Sequence, residues 1–327
     1  MFNILEHEFV IAEHLDQKGV MCHASHLLSL LDGGLLCVYF GGTAEKDNDV
    51  RIWAARRSPE GVWEAPYPIT EDDGIAHWNP VLMRKADGSI ALFYKVGREI
   101  PQWQTLVRFS NNEGQDFGEA RELVPGDVGG RGPVRNKVIR LQDGRLAAPA
   151  SLENGHWVSF IDFSTDDGDN WHAGPVISLP DNQFPAIPQK KRGIIQPTLW
   201  ESPPGHLHAL MRSSENAIFR SDSADNGQTW SPPYNTGLPN NNSGIDLAQL
   251  SDERLVLIMN PVAKNWGPRS PISVFVSKDN GDTWSLLSNL ETAPGEYSYP
   301  VILAQELQVR ITYTWNRKNI AYWRLQF

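Results

Sequence analysis

The stretch Ser277-Lys278-Asp279-Asn280-Gly281-Asp282-Thr283-Trp284 recurs along the chain, and its recurrence decides the fold. The same succession of residue types stands at Ser223-Ala224-Asp225-Asn226-Gly227-Gln228-Thr229-Trp230 and at Ser164-Thr165-Asp166-Asp167-Gly168-Asp169-Asn170-Trp171. A worn copy runs from Ser110 to Phe117 with Asn112 in the aspartate's place, and a shortened one, Ser58-Pro59-Glu60-Gly61-Val62-Trp63, precedes it. The leading serines fall at 58, 110, 164, 223 and 277, a period of 52 to 59 residues. Self-similarity of this length, with strand signals between the copies, marks propeller blades. Within each copy the Ser and Asp side chains are suited to bond nearby backbone N–H groups, Gly supplies a positive φ, and the closing aromatic packs. Equivalent turns cannot all be one active site, so these aspartates read as structural.

The repeats resemble the Asp-box, or BNR, repeats of sialidases and their relatives, over nearly the whole chain. The resemblance implies a six-bladed β-propeller of four-stranded antiparallel blades. It says less about activity, because one fold hosts many functions.

A second periodic signal agrees with six blades. Turns flanked by apolar strands stand at Leu30–Leu36, Ala86–Ala91 and Gln142–Leu146, each built on Asp-Gly, with weaker versions at Pro204–Leu207, Ser251–Leu255 and Gln305–Val309. Asp-Gly between apolar runs is a strong hairpin signal. The last segment, Ile320–Leu325, reads as a third strand without a partner, and Phe2–Ile11 as a strand without a blade. The N-terminal strand is therefore expected to complete the last blade, closing the ring and removing its edges.

The chain has 327 residues, a length all-β folds often use as one domain, and the repeat covers it without a Pro/Gly/Ser-rich linker. A single domain over 1–327 follows. A net charge of −10 argues against nucleic acid or an anionic membrane as partner, and requires a local basic cluster if the substrate is acidic. Two cysteines, Cys22 and Cys37, do not make a disulfide framework. Acids at Glu6 and Glu8 stand where a signal peptide needs an apolar core, so a cytoplasmic location is expected. The nine histidines show no metal-ligand spacing and no cofactor motif is present.

In a propeller the first strand of each blade lines the axis. Aligned on the hairpins, blades two, four and six begin with Asn79-Pro80, Gln196-Pro197 and Tyr299-Pro300, while blades one, three and five carry His26, Lys137 and Asp246 at about the same column. Structural strands should begin apolar. Polar and aromatic starts converging on one axis, with His23, His77 and Trp78 beside them, describe a ligand pocket.

The resemblance implies specific roles. Family sialidases clamp a substrate carboxylate with three arginines, whose planar forks match it. They attack with a tyrosine assisted by a glutamate, and protonate the leaving group from an aspartate. Arg212 matches the second clamp arginine and Arg269 the third, and Tyr297 or Tyr299 matches the nucleophile. Glu45, Asp47 or Asp49, after Gly41-Gly42-Thr43, occupies the loop of the acid/base, with Asp47 best placed. Two positions depart from the pattern: His23-Ala24-Ser25-His26 stands where the first arginine belongs, and Gln196 where the glutamate belongs. Glutamine cannot accept a phenolic proton.

Three functions fit these residues. The first is a hydrolase releasing an acidic terminal sugar, with Arg212, Arg269 and Lys137 on the carboxylate and Asp246 or a tyrosine activating water or attacking. The second is a lyase acting beside a uronate, with His23, His26 or His77 as base and a tyrosine as acid. The third is a sugar-binding propeller using Trp78, Trp103 and Trp266 as stacking platforms.

Overall fold

The structure is a computed structural model that describes residues 2–11, 21–180 and 192–327. The fold is all-β: among the described residues the only helical feature is a 3-10 turn at Ile100–Gln102. No helix there is long and apolar enough to cross a membrane.

Strand β1 (Asn3–Phe9) is followed by a sheet of β2 (Met21–Ser29), β3 (Leu35–Gly42), β4 (Arg51–Arg57) and β5 (Tyr67–Pro68). The next sheet holds β6 (His77–Arg84), β7 (Ile90–Val96), β8 (Gln104–Ser110) and β9 (Arg121–Glu122). Then come β10 (Ile139–Arg140), β11 (Leu146–Asn154), β12 (His156–Ser164) and β13 (His172–Ala173), and after them β14 (Arg192–Glu201), β15 (Leu207–Ser213), β16 (Ala217–Ser223) and β17 (Tyr234–Pro239). A further sheet is β18 (Asp246–Gln249), β19 (Leu255–Met259), β20 (Ile272–Ser277) and β21 (Ser285–Glu291). The last consists of β22 (Tyr297–Gln305), β23 (Gln308–Trp315) and β24 (Asn319–Gln326), with β1 antiparallel to β24 at its edge. The N-terminal strand thus joins the last sheet, as the sequence suggests.

One grouping differs from six separate sheets. The eight strands β10 to β17 form one sheet, because β12 and β14 pair in parallel at His156↔Arg192 and Trp157↔Gly193. Gly193 allows this approach: its φ is 138°, and a Cβ there would collide with the Trp157 carbonyl. Either side of that contact, the strands pair antiparallel.

Apolar cores lie between successive sheets. Leu36, Ile52 and Ala54 pack on Leu82, Leu92 and Tyr94, and Val81 and Phe93 pack on Leu146 and Trp171. A core also joins the last sheet to the first, where Val301, Ile320 and Tyr322 meet Cys22, Leu27 and Cys37. Both cysteines are buried free thiols.

The repeated turns fall between the third and fourth strands of their sheets. In each complete copy the serine hydroxyl accepts from the glycine N–H (Ser164, Ser223 and Ser277 Oγ, 2.8, 2.9 and 2.8 Å), and the aspartate accepts from the N–H four residues on. Hydrogen bonds from Asn170, Thr229 and Thr283, respectively, pull Asp166, Asp225 and Asp279 down to about 2. Trp171 and Trp284 close their turns by donating Nε1–H to the Gly168 and Gly281 carbonyls. The worn copy keeps the Gly114 N–H to Ser110 bond at 2.9 Å.

Inner strands β2, β6, β14 and β22 each lose register once, between His23 and His26, Trp78 and Val81, Ile195 and Thr198, and Ser298 and Val301. Each bulge holds one non-glycine residue at positive φ: Ala24 (53°), Asn79 (44°), Gln196 (53°) and Tyr299 (54°). Proline follows three of them, at a point where no ladder N–H is needed. A bulge re-aims a side chain, and here it builds the site.

Candidate active site

A cavity of about 350 Å³ opens at the end of the sheets where the bulges lie. That volume suits a one- or two-ring ligand. Tyr299, Gln196 and Asn79 reach it from three bulges, and His23 from just before the fourth. One wall is cationic, formed by Arg212, Arg269 and Arg317; the other is aromatic, formed by Phe40, Trp78, Trp103, Trp157 and Trp266.

Tyr299 is half-buried at the centre of the cationic side. Its hydroxyl accepts from Arg212 Nη1 at 2.8 Å, and the same nitrogen reaches Gln196 Oε1 at 3.0 Å. The guanidinium carbons of Arg135, Arg212 and Arg269 stand 5.5, 5.6 and 5.4 Å from the ring centroid. The His23 ring lies 4.4 Å away, and its Nδ1 is hydrogen bonded to Thr314 Oγ1 at 2.9 Å. Burial first, and then Arg317, Arg269, Arg135 and Arg212, hold the His23 pKa well below its usual value. His23 is therefore a neutral imidazole at neutral pH.

The three wall arginines differ in their partners. Arg269 Nη1 and Arg317 Nε both donate to Glu296 Oε1, at 2.6 and 2.7 Å, and Arg317 Nη1 reaches Glu45 Oε2 at 2.5 Å. Arg212 has no carboxylate partner among the described residues; Asn242 Oδ1 accepts from its Nε at 3.0 Å. It presents an uncompensated charge to a ligand.

The aromatic wall is firmly set. Trp78 and Trp103 donate Nε1–H to the Gly97 and Gly129 carbonyls at 2.9 and 3.1 Å. Trp266 is 61% exposed at the mouth, stands edge-on to Trp157, and has a positive φ of 57°. Its loop is tied to Arg212 through Asn242 Nδ2, which donates to Asn265 Oδ1 at 2.9 Å.

The structure separates residues that the sequence groups together. Tyr299 lines the cavity, whereas Tyr297 is buried in the core with Tyr313 edge-on to it. Residues two apart in a regular strand would face the same way, and the bulge that begins after Ser298, with Tyr299 at a φ of 54°, re-aims Tyr299. Glu45 lines the cavity; Asp47 is exposed on the same loop and does not, and Asp49 caps Thr43 through its backbone N–H and hydroxyl. His77 lies outside the cavity, bonded to Thr70 and Asp73.

His26, Lys137 and Asp246 also lie outside it: His26 just past the β2 bulge, Lys137 before β10 and Asp246 at the start of β18. Asp246 is 0% exposed and accepts from Lys137 Nζ, Thr198 Oγ1 and the Ile302 N–H, which leaves it no role as a base in the cavity. Lys137, bonded to it at 2.7 Å, and His26, whose Nδ1 accepts from the Leu82 N–H, line other cavities instead.

Sequence reasoning missed Arg317, Glu296 and Glu153, which lies at the end of β11 on the cavity wall. A signal for Arg317 exists. The link between the second and third strands of a sheet returns to the cavity end, as the Glu45 loop does, and Asn316-Arg317 is that link in the last sheet.

Known proteins share this architecture. The model of the BNR repeat-like domain matches residues 33–311. An anhydrosialidase of Macrobdella decora is 24% identical over 267 residues, which is 72% of this chain and 33% of the relative. The chain thus spans about a third of the curated relative it matches. A Dyadobacter fermentans protein of unknown function superposes with a TM-score of 0.80 at 14% identity, covering 100% of this chain and 99% of the other. Trypanosoma rangeli sialidase in complex with the inhibitor DANA gives 0.72 at 12% identity, with 93% and 55% covered. The Ruminococcus gnavus intramolecular trans-sialidase in complex with oseltamivir carboxylate gives 0.71 at 13%, with 94% of each covered.

Proposed function

Because the chain belongs to the sialidase-like BNR repeat family, we propose that it is a glycoside hydrolase that releases an acidic terminal sugar from an oligosaccharide. The observation that carries this reading is the setting of Tyr299, whose hydroxyl takes a hydrogen bond from Arg212 on the wall that also holds Arg269 and Arg317. Arg212, free of any carboxylate among the described residues, receives the substrate carboxylate first, and Arg269 and Arg317 flank it. The sugar's apolar face rests on Trp78 and Trp103, and Trp266 offers a surface to the next sugar.

In the reaction, the Tyr299 hydroxyl gives its proton to water as Oη attacks the anomeric carbon and the bond to the leaving oxygen breaks, and Glu45 in its acid form protonates that oxygen. Water then displaces the tyrosine, giving one proton to the Glu45 carboxylate, and the Tyr299 oxygen regains its proton from solvent. A phenol is suited to attack beside a carboxylate, which would repel an anionic Asp or Glu. General-acid help of this kind contributes roughly two to four orders of magnitude. Gln196, where the family places a glutamate, holds Arg212 instead of taking a proton. We read the sheets as six blades of one domain, β10–β13 and β14–β17 counting as two, closed into a ring through the core between the last sheet and the first.

A second reading, elimination beside a uronate, is favoured by one observation: neutral His23 lies against Tyr299. His23 would take the C5 proton and Tyr299 would protonate the leaving oxygen. One experiment tests both. The protein is incubated with sialylated and uronate-terminated oligosaccharides and the products are weighed by mass spectrometry. Products heavier in sum by one water support hydrolysis; products without added water overturn it in favour of elimination. Binding without cleavage overturns both and leaves a sugar-binding protein.

A further inference from the structure

Arg135 lies beneath Tyr299 and is 1% exposed. Its Nη2 donates to the Tyr299 carbonyl at 2.5 Å and to that of Pro300 at 3.0 Å, which are the two carbonyls of the bulge. Neighbouring Asn136 does the same for the Gln196-Pro197 bulge, at 3.1 and 3.0 Å. The segment that precedes β10 therefore fastens two of the four bulges, one in β14 and one in β22.

Arg135 differs from Asn136 in carrying charge. Its Nε and Nη1 have no hydrogen-bond partner, and among the described residues no carboxylate stands within ion-pair distance. Burial, partly offset by Asp246 and Tyr299, brings its pKa down to about 10, so it stays cationic at neutral pH. A buried, unpaired charge costs several kcal/mol by general experience, and an apolar side chain of like volume is often no worse for stability. Holding two carbonyls does not require a full positive charge, since Asn136 manages it with an amide. The feature left for that charge to serve is the ring above it, whose centroid is 5.5 Å from the guanidinium carbon.

We propose that Arg135 is a positioning residue for Tyr299: it fixes the bulge that aims the phenol into the cavity, and its charge favours the phenolate when the proton leaves for water. It thereby compensates for the missing carboxylate at Gln196. This inference rests on the reading of Tyr299 as the reacting group.

The test uses tetranitromethane, which nitrates phenolates, on the intact protein, with the Tyr299 peptide followed by mass spectrometry and Tyr299→Phe as the blank. Arg135→Gln removes the charge and keeps a donor; Arg135→Lys keeps the charge. Nitration of Tyr299 is expected to slow about tenfold or more in Arg135→Gln and to stay within about threefold of wild type in Arg135→Lys. In turnover, kcat follows the same order while KM moves little, because Arg212, Arg269 and Arg317 remain. Equal nitration rates in folded Arg135→Gln and wild type overturn the proposal. Failure of Arg135→Gln to fold where Arg135→Lys folds and reacts normally supports the need for charge; failure of both overturns the proposal in favour of a purely structural role. Should the nitration contrast hold while no acidic glycoside is cleaved, the assigned reaction falls and the Arg135–Tyr299 coupling stands.

Discussion

At the ends of the sheets away from the cavity, the Ser–Asp turns are copies of one another down to single hydrogen bonds; at the cavity end, the four bulges share a backbone and nothing else. Ser164, Ser223 and Ser277 make the same bond to the same glycine. Ala24, Asn79, Gln196 and Tyr299 have the same sign of φ and four different side chains. Where a repeat is kept whole, its chemistry is satisfied internally and no group is left for a ligand. Where only the backbone is kept, each blade delivers a different group to one cavity, and a constellation arises that no single repeat contains.

The sharpest way to break this contrast is at adjacent tyrosines. Tyr299→Phe should lower turnover by roughly two to four orders of magnitude with an unchanged melting curve, whereas Tyr297→Phe, two residues away in the core, should leave kcat within error. Equal effects would erase the distinction between cavity and core. Next in size, Arg212→Met should raise KM for an acidic glycoside by roughly thirtyfold or more, because it strips the wall of its unpaired charge; a neutral glycoside should lose far less.

A smaller effect concerns acid. The native pKa of His23 lies well below its unfolded value, so the unfolded chain binds a proton first as pH falls. The stability that neutral His23 contributes is fully present above about pH 6.5 and is lost below it. His23→Gln should therefore narrow the difference between melting temperatures at pH 7 and pH 5. The outer turns also lose stability as pH falls, but over a lower range. Their aspartates are held at about 2, below the unfolded carboxylate range, so their contribution is present above about pH 4 and lost as pH falls towards 2. The smallest expected change is Asp279→Ala, which should lower the melting temperature by roughly 2–4 °C without altering kcat or KM.

These two regions also explain what was legible beforehand. The turns are local: Gly281 donates to Ser277, Thr283 to Asp279 and Trp284 to Gly281, all within eight residues, so a linear pattern reveals them and, through their spacing, the repeated sheets. Gln196 could be placed because its hairpin fixes the register of its inner strand, and Arg212 and Arg269 by their places after a hairpin and before a Ser–Asp turn; spacing left Tyr297 and Tyr299 both open. His26 could not be placed, because a bulge adds a residue and shifts the facing of all that follow; Lys137 and Asp246 could not, because they pair with each other across 109 residues of sequence. Arg317 was hidden for another reason: its partner Glu45 is 272 residues away, and no local spacing reports a contact of that kind.

The pairing of β1 with β24 has a consequence for biosynthesis. Strand β1 leaves the ribosome long before β24 and must wait for it, since Asn3 pairs with Gln326. Contacts that distant carry the largest loop-closure entropy, and they form late. During translation the β1 edge stays open for whatever strand it meets, a hazard for aggregation. Three of its seven residues are Glu or His, and Glu6 and Glu8 later pair with Arg57 and Arg324. Charge on that strand keeps the nascent chain apart from its neighbours until β24 arrives.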